Sequence, residues 1–135
     1  MTKDSPTCTK ESLRIVFTVS ATEKWKIQSL VISAAFLQGN GIQRDLYILP
    51  PKDIRTEGVI WKLKRCIYGL NDVPRVWYDK VKTEMITLGA SVIKYDHSLF
   101  MWHENGQIIG ILVIHVGFYV WWYYKLGEES DWKYK

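Results

Sequence analysis

A chain of 135 residues, 47% hydrophobic and 24% charged, has the length of one domain and enough apolar content to bury a core, which excludes a disordered or low-complexity protein. Its net charge of +4 leans towards a polyanionic partner, but Lys and Arg are scattered, with a modest cluster only at Lys62, Lys64 and Arg65. A solvated basic face is the simpler account of the charge taken alone. Cys8 and Cys66 match no metal-ligand spacing, and MTKDSPTCTKE lacks the apolar segment of a secretory signal. The expectation is an intracellular, cytoplasmic protein.

In chain order, Thr7 or Thr9 can cap a helix running to about Thr22, with Leu13, Val16, Phe17 and Ser20 on one face. KWKIQSLVI alternates as a strand, with Trp25, Ile27, Ser29 and Val31 on one side. SAAFLQGNG makes a short helical turn closed by Gly39 and Gly41. LYIL (Leu46–Leu49) is a short strand stopped by Pro50 and Pro51, which cannot donate to a ladder. WKLK (Trp61–Lys64) alternates as a half-exposed strand.

After Pro74 a helix carries Trp77, Val81, Met85 and Leu88 on one face, and Gly89 ends it. SVIKYDHSLFMWH and QIIGILVIHV then read as strands joined through an Asn-Gly turn, a strong hairpin signal. The predicted class is α+β, an antiparallel sheet with packed helices. The tail after Tyr124 is polar and unpatterned.

From Ile108 to Tyr124, seventeen residues pass without a Lys, Arg, Asp or Glu. A helix crossing a bilayer needs about 20 apolar residues. Trp121, Trp122, Tyr123 and Tyr124 before Lys125 are similar to an interfacial belt, but Ile111, Val113, Ile114, Val116 and Val120 are β-branched and follow a hairpin turn. A buried strand is the preferred reading, and a membrane partner is not expected.

AAFLQG (Ala34–Gly39), DLYILPP (Asp45–Pro51), WKLKRCIYGLNDVPRVWY (Trp61–Tyr78), KYDHSLFMW (Lys94–Trp102) and GILVIHV (Gly110–Val116) together resemble a copia-type retrotransposon reverse transcriptase. The resemblance spans residues 4–116 and leaves 117–135 as a divergent aromatic and polar tail. It implies a partial right-hand polymerase, palm with part of the fingers. The upstream fingers strands, thumb and ribonuclease H region of a whole polyprotein product are then missing segments, and exposed sheet edges are expected.

The family's chemistry is nucleotidyl transfer by two Mg²⁺ ions held on aspartates. At the position the resemblance assigns to the first Asp stands Val31; at the two of the Val-Asp-Asp turn stand Gly117 and Phe118. All three ligands are replaced, so no intact catalytic residue, no metal site and no cofactor is expected, and the polymerase reads as inactive. Asp45, Asp72 and Asp96 match other parts of the pattern.

By the same resemblance Phe36, Gln38, Tyr68 and Gly69 are candidate nucleotide-binding residues, and Lys62, Lys64, Arg65 and Arg75 candidate contacts to an RNA or DNA template-primer. Each also has a plain structural account: a core Phe, a turn Gly, a solvated strand face. Trp77 and Tyr78 suit helix core and rim better than base stacking. His97, His103 and His115 share no metal-ligand spacing. A residual nucleic-acid-binding or protein-interaction module without catalysis stands as the alternative.

Overall fold

The computed structural model describes residues 5–38, 41, 44–115 and 119–124; for 119–124, as for Phe36, only the backbone is described. The elements in order are helix α1 (Lys10–Thr22), strands β1 (Lys26–Val31), β2 (Tyr47–Ile48) and β3 (Trp61–Lys62), helix α2 (Val73–Thr87), and strands β4 (Ser91–Val92), β5 (Leu99–Glu104), β6 (Gln107–His115) and β7 (Tyr119–Tyr124). Two short 3₁₀ turns, Ala35–Gln38 and Lys52–Ile54, flank β2. The α+β expectation agrees with two helices and two antiparallel sheets. The chain divides into two compact units, Met1–Ser5 with Ala34–Val81 and Pro6–Ser33 with Lys82–Lys135, the boundary falling inside α2.

The second unit holds a five-stranded antiparallel sheet in the order β1-β7-β6-β5-β4. Its β5–β6 hairpin turns at Asn105 and Gly106, both at positive φ (48° and 77°), as a two-residue primed turn requires. Leu99 pairs with Val113 and Met101 with Ile111, so these four share the face on which Cys8, Val16 and Trp25 complete the core beneath α1. Phe100, Trp102, Leu112 and Ile114 are buried on the opposite face. Gly110 to Ile114 are therefore buried throughout, as a strand covered on both sides must be.

Thr9 caps α1: its Oγ1 accepts from the Ser12 N–H at 3.1 Å. Val16 and Ser20 are buried and Leu13 partly so, but Phe17 lies 40% exposed, outside the expected apolar stripe. The chain leaves the helix through Lys24 at positive φ, which turns Trp25 into the core just before β1. All six residues of β1 are exposed, so of the alternating set only Trp25, just before the strand, is buried. The strand lies at the sheet's edge, and its cross-strand hydrogen bonds run to β7.

The predicted single strand over SVIKYDHSLFMWH is broken. β4 and β5 are separated by a turn in which the Asp96 carboxylate accepts from the Ser98 N–H and hydroxyl (3.1 and 2.5 Å). Its other oxygen accepts from the Thr9 N–H at 3.1 Å, a residue 87 positions away. One buried carboxylate thus ties the turn to the first turn of α1. At the C-terminal side the apolar run read as a buried strand is divided in two, and Tyr119–Tyr124, placed by the resemblance in a divergent aromatic and polar tail, form a strand of their own in the sheet. The predicted fraying after Tyr124 falls outside the described residues.

Helix α2 opens with the Asp72 carbonyl accepting from the Val76 N–H, and Pro74 sits in the first turn, where its missing N–H has no partner to lose. It ends as the sequence predicts. Gly89 has φ +86°, its N–H meets the Ile86 carbonyl, and the Ala90 N–H reaches back to Met85. This pair of bonds is a Schellman motif. Trp77 is buried, whereas Leu88 is half exposed, so the apolar face fades towards the C-terminus. In the first unit β2 and β3 pair antiparallel, Tyr47 with Lys62 and Ile48 with Trp61.

Burial alone would raise the Asp96 pKa, but hydrogen bonds from Ser98, Ser12 and Thr9 favour the carboxylate and hold it below the usual range. A depressed folded-state pKa stabilises fully above the unfolded-state value, and that contribution is lost as pH falls through the folded-state pKa. Asp96→Asn is expected to lower unfolding free energy by about 2 kcal/mol at pH 7. In urea titrations the gap to wild type should narrow as pH drops below about 4. A gap independent of pH would exclude the charged clamp.

Candidate functional site

Antiparallel register fixes the surroundings of Val31, one of the three positions the family resemblance assigns to metal ligands. Val31, the last residue of β1, is the Cα partner of Tyr119, the first of β7, and Tyr119 is the partner of His115, the last of β6. Val31, Tyr119 and His115 thus form one row across three adjacent strands of the second unit. Val116, Gly117 and Phe118, which follow His115 in the sequence, lie outside the described residues. At the described member of the expected acidic set stands Val31, 58% exposed, with no side-chain oxygen to offer a cation.

Mg²⁺ requires hard oxygen ligands in octahedral array. An exposed isopropyl group does not fit it, and the sequence puts neither carboxylate nor carbonyl side chain at 117 or 118. Among the described residues no three His, Cys, Asp or Glu side chains converge as a metal cluster. Asp45, Asp72 and Asp96 are each engaged elsewhere: with Lys62, with Arg44, and in the clamp on α1.

The remaining candidates all belong to the first unit. Phe36 and Gln38 lie in the 3₁₀ turn Ala35–Gln38, the side chain of Phe36 being outside the description. This turn is fastened to α2, because Lys80 Nζ donates to the Gln38 carbonyl at 2.7 Å. Gly69 has φ +94°, yet a Cβ there would meet nothing within 4 Å. Backbone conformation, and no crowding within the chain, explains the glycine. Tyr68 beside it is 54% exposed.

The basic candidates differ from one another. Lys62 Nζ lies 2.6 Å from Asp45 Oδ1 and 5.9 Å from the centre of the Tyr47 ring. Arg75 bridges Asp79 one helical turn on, at 3.0 Å, and its guanidinium lies 5.6 Å from the centre of the Tyr78 ring. Lys64 and Arg65 are exposed and have no carboxylate partner among the described residues. Between them and Gly69, Cys66 is buried, its thiol pushed up by burial and then by the Asp72 charge, so it is inert as a nucleophile. Cys8 in the other unit is likewise raised by burial, to about 11.

Trp77 and Tyr78 are 2% and 1% exposed, which makes both core residues and corrects the expected rim position of Tyr78. Sequence reasoning missed the partners: Asp45 and Tyr47 around Lys62, and Lys80 on Gln38. The first was accessible in outline, since LYIL and WKLK were both read as strands. Their register was not, because twelve residues lie between Ile48 and its partner Trp61 and no short turn fixes the pairing.

The fold and the row of strand ends describe an antiparallel α+β chain with the exposed apolar Val31 at the end of its edge strand. A model of the family "Reverse transcriptase (RNA-dependent DNA polymerase)" matches residues 2–120. Similar proteins include the retrovirus-related Pol polyproteins from transposons RE1 and RE2 of Arabidopsis thaliana, 33% and 34% identical over 112 residues, or 81% of the chain. The Pol polyprotein from transposon TNT 1-94 of Nicotiana tabacum is 29% identical over 60% of the chain. The chain belongs to the reverse transcriptase family, in its copia-type branch. It spans only 8% of the length of the RE1 and RE2 polyproteins. No solved structure matches it. No helix among the described residues is long and apolar enough to cross a membrane.

Burial separates packing from surface roles among the aromatic candidates. Trp77→Ala is expected to lower stability by about 3–5 kcal/mol, whereas Tyr68→Ala should stay within roughly 0.5 kcal/mol of wild type. Chemical denaturation of the two variants checks this; equal losses would place Tyr68 in the core.

Proposed function

We propose that this chain is a palm and partial fingers segment of a copia-type retrotransposon reverse transcriptase that no longer polymerises. The observation carrying the proposal is Val31, an exposed apolar residue closing the row of strand ends, where the family's first metal-binding Asp is expected. Gly117 and Phe118 at the other two expected positions add no ligand. With no oxygen donors at these three positions, neither the primer hydroxyl nor the triphosphate has a metal to meet. The site as written uses no cofactor.

The loss is large in energetic terms. Enzymes lower their barriers by about 8 kcal/mol or more, and in a two-metal site most of that stabilisation is the ions' own charge. Nearby polar groups do not replace it. His115, the described polar residue in the row, is an imidazole suited to softer metals than Mg²⁺.

What remains is binding to an RNA or DNA template-primer through the first unit. Lys64 and Arg65 on the exposed segment after β3 favour this reading, with Tyr68 and Gly69 following them. Phe36 and Gln38 would line the nucleotide floor, held by Lys80. The rest of the polyprotein is the expected partner. Two buried free thiols suit a reducing, intracellular setting.

Purified chain given Mg²⁺, an RNA template, an annealed primer and deoxynucleotides is expected to extend no primer. Extension above the no-protein background would overturn the inactive reading. Sequencing the transcript across the codons for Val31, Gly117 and Phe118 makes the same test at the level of the gene, where aspartate codons would have the same consequence.

A further inference from the structure

We propose that Asp45 is a built-in competitor for phosphate at Lys62, so that the β2–β3 ribbon stays self-neutralised until a nucleic-acid backbone displaces the carboxylate. The inference rests on the nucleic-acid-binding reading above and deepens it by dividing the basic residues into two kinds.

The ribbon's register carries the argument. Tyr47 and Lys62 are direct cross-strand partners, so their side chains share one face. On that face Lys62 Nζ is 2.6 Å from Asp45 Oδ1, and the Tyr47 hydroxyl donates to Asp45 Oδ2 at 3.5 Å. The ammonium lies 5.9 Å from the centre of the Tyr47 ring. Asp45 thus occupies, with two oxygens, the place a phosphate would take beside a lysine and a tyrosine hydroxyl.

Exposure makes this a replaceable partner and not a structural lock. The Lys62 and Asp45 side chains are 55% and 65% exposed, the regime in which an ion pair contributes little because water screens it. Lysine is a point charge on a flexible stem and can change partners without moving the ribbon. Tyr47, itself 53% exposed, then leaves a ring beside the freed charge, a combination suited to a nucleic-acid strand. Lys64 and Arg65, two and three residues on, have no such carboxylate among the described residues and are available from first encounter.

The test is binding of the full chain to a short RNA–DNA hybrid across a salt series, with Asp45→Asn, Lys62→Gln, the double variant and Asp53→Asn. Asp53 lies in the 3₁₀ turn Lys52–Ile54 of the same unit, exposed and with no basic partner among the described residues, so its change removes the same charge without freeing a lysine. Asp45→Asn should tighten binding about two- to five-fold over wild type and exceed Asp53→Asn. It should also steepen the fall of log K with log salt by about one. In the Lys62→Gln background the gain should vanish. Equal gains from Asp45→Asn and Asp53→Asn, or a gain that persists without Lys62, would overturn the inference while leaving nucleic-acid binding standing. Absence of hybrid binding by wild type and every variant at low salt would instead overturn the binding reading itself, and the inference with it.

Discussion

The ladder that inserts β7 between β1 and β6 is the constraint on which the site depends. Residues in register across antiparallel strands are held about 5 Å apart whatever their side chains are. Val31, Tyr119 and His115 come into one row by that means alone, although Val31 is more than eighty positions before the other two. Backbone pairing therefore holds the row of strand ends together independently of the side chains it carries. The scaffold is indifferent to the carboxylates, while the chemistry is not.

The same separation between scaffold and chemistry appears at Asp96. Its carboxylate accepts three hydrogen bonds from Thr9 and Ser98 and is 8% exposed, so here a charge is retained because backbone and hydroxyl donors surround it. An acidic residue at an exposed strand end has no such support from the fold. Its value there would lie in an ion it bound, and a valine in such a place leaves no buried donor unpaired. An exposed side chain at Val31 is therefore exchangeable without loss of structure, the opposite of the expectation at Asp96.

Legibility in the sequence followed the range of the interactions concerned. The Thr9 cap, the Asn105–Gly106 turn and the Gly89 stop are local, each set within a few residues, and the structure places all three where spacing predicts. The break between β4 and β5 depends on Asp96 reaching Thr9, so a run of strand-forming residues concealed it. The division of the apolar run Ile108–Tyr124 into β6 and β7 is concealed for another reason. YVWWYY has no alternation of apolar and polar residues, and period two is the signal by which half-buried strands are read. The strand over KWKIQSLVI is legible from its own pattern, and Val31 closes it, but neither pattern nor resemblance carries information on the partner of a lysine.

That last gap bears on how a basic surface should be read. Lys62, Lys64, Arg65 and Arg75 are equivalent in a count of charge, and the net charge of +4 treats them so. Among the described residues Lys62 and Arg75 each sit within 3.0 Å of a carboxylate and beside a tyrosine ring, while Lys64 and Arg65 do not. A paired cation presents a dipole to an approaching polyanion, whose field falls off faster with distance than that of a bare charge. Long-range attraction then comes from the unpaired residues, and the paired ones contribute only at contact, once their carboxylates are displaced. Among these four residues the long-range attraction therefore falls to Lys64 and Arg65, on the segment that leads from β3 towards Tyr68 and Gly69.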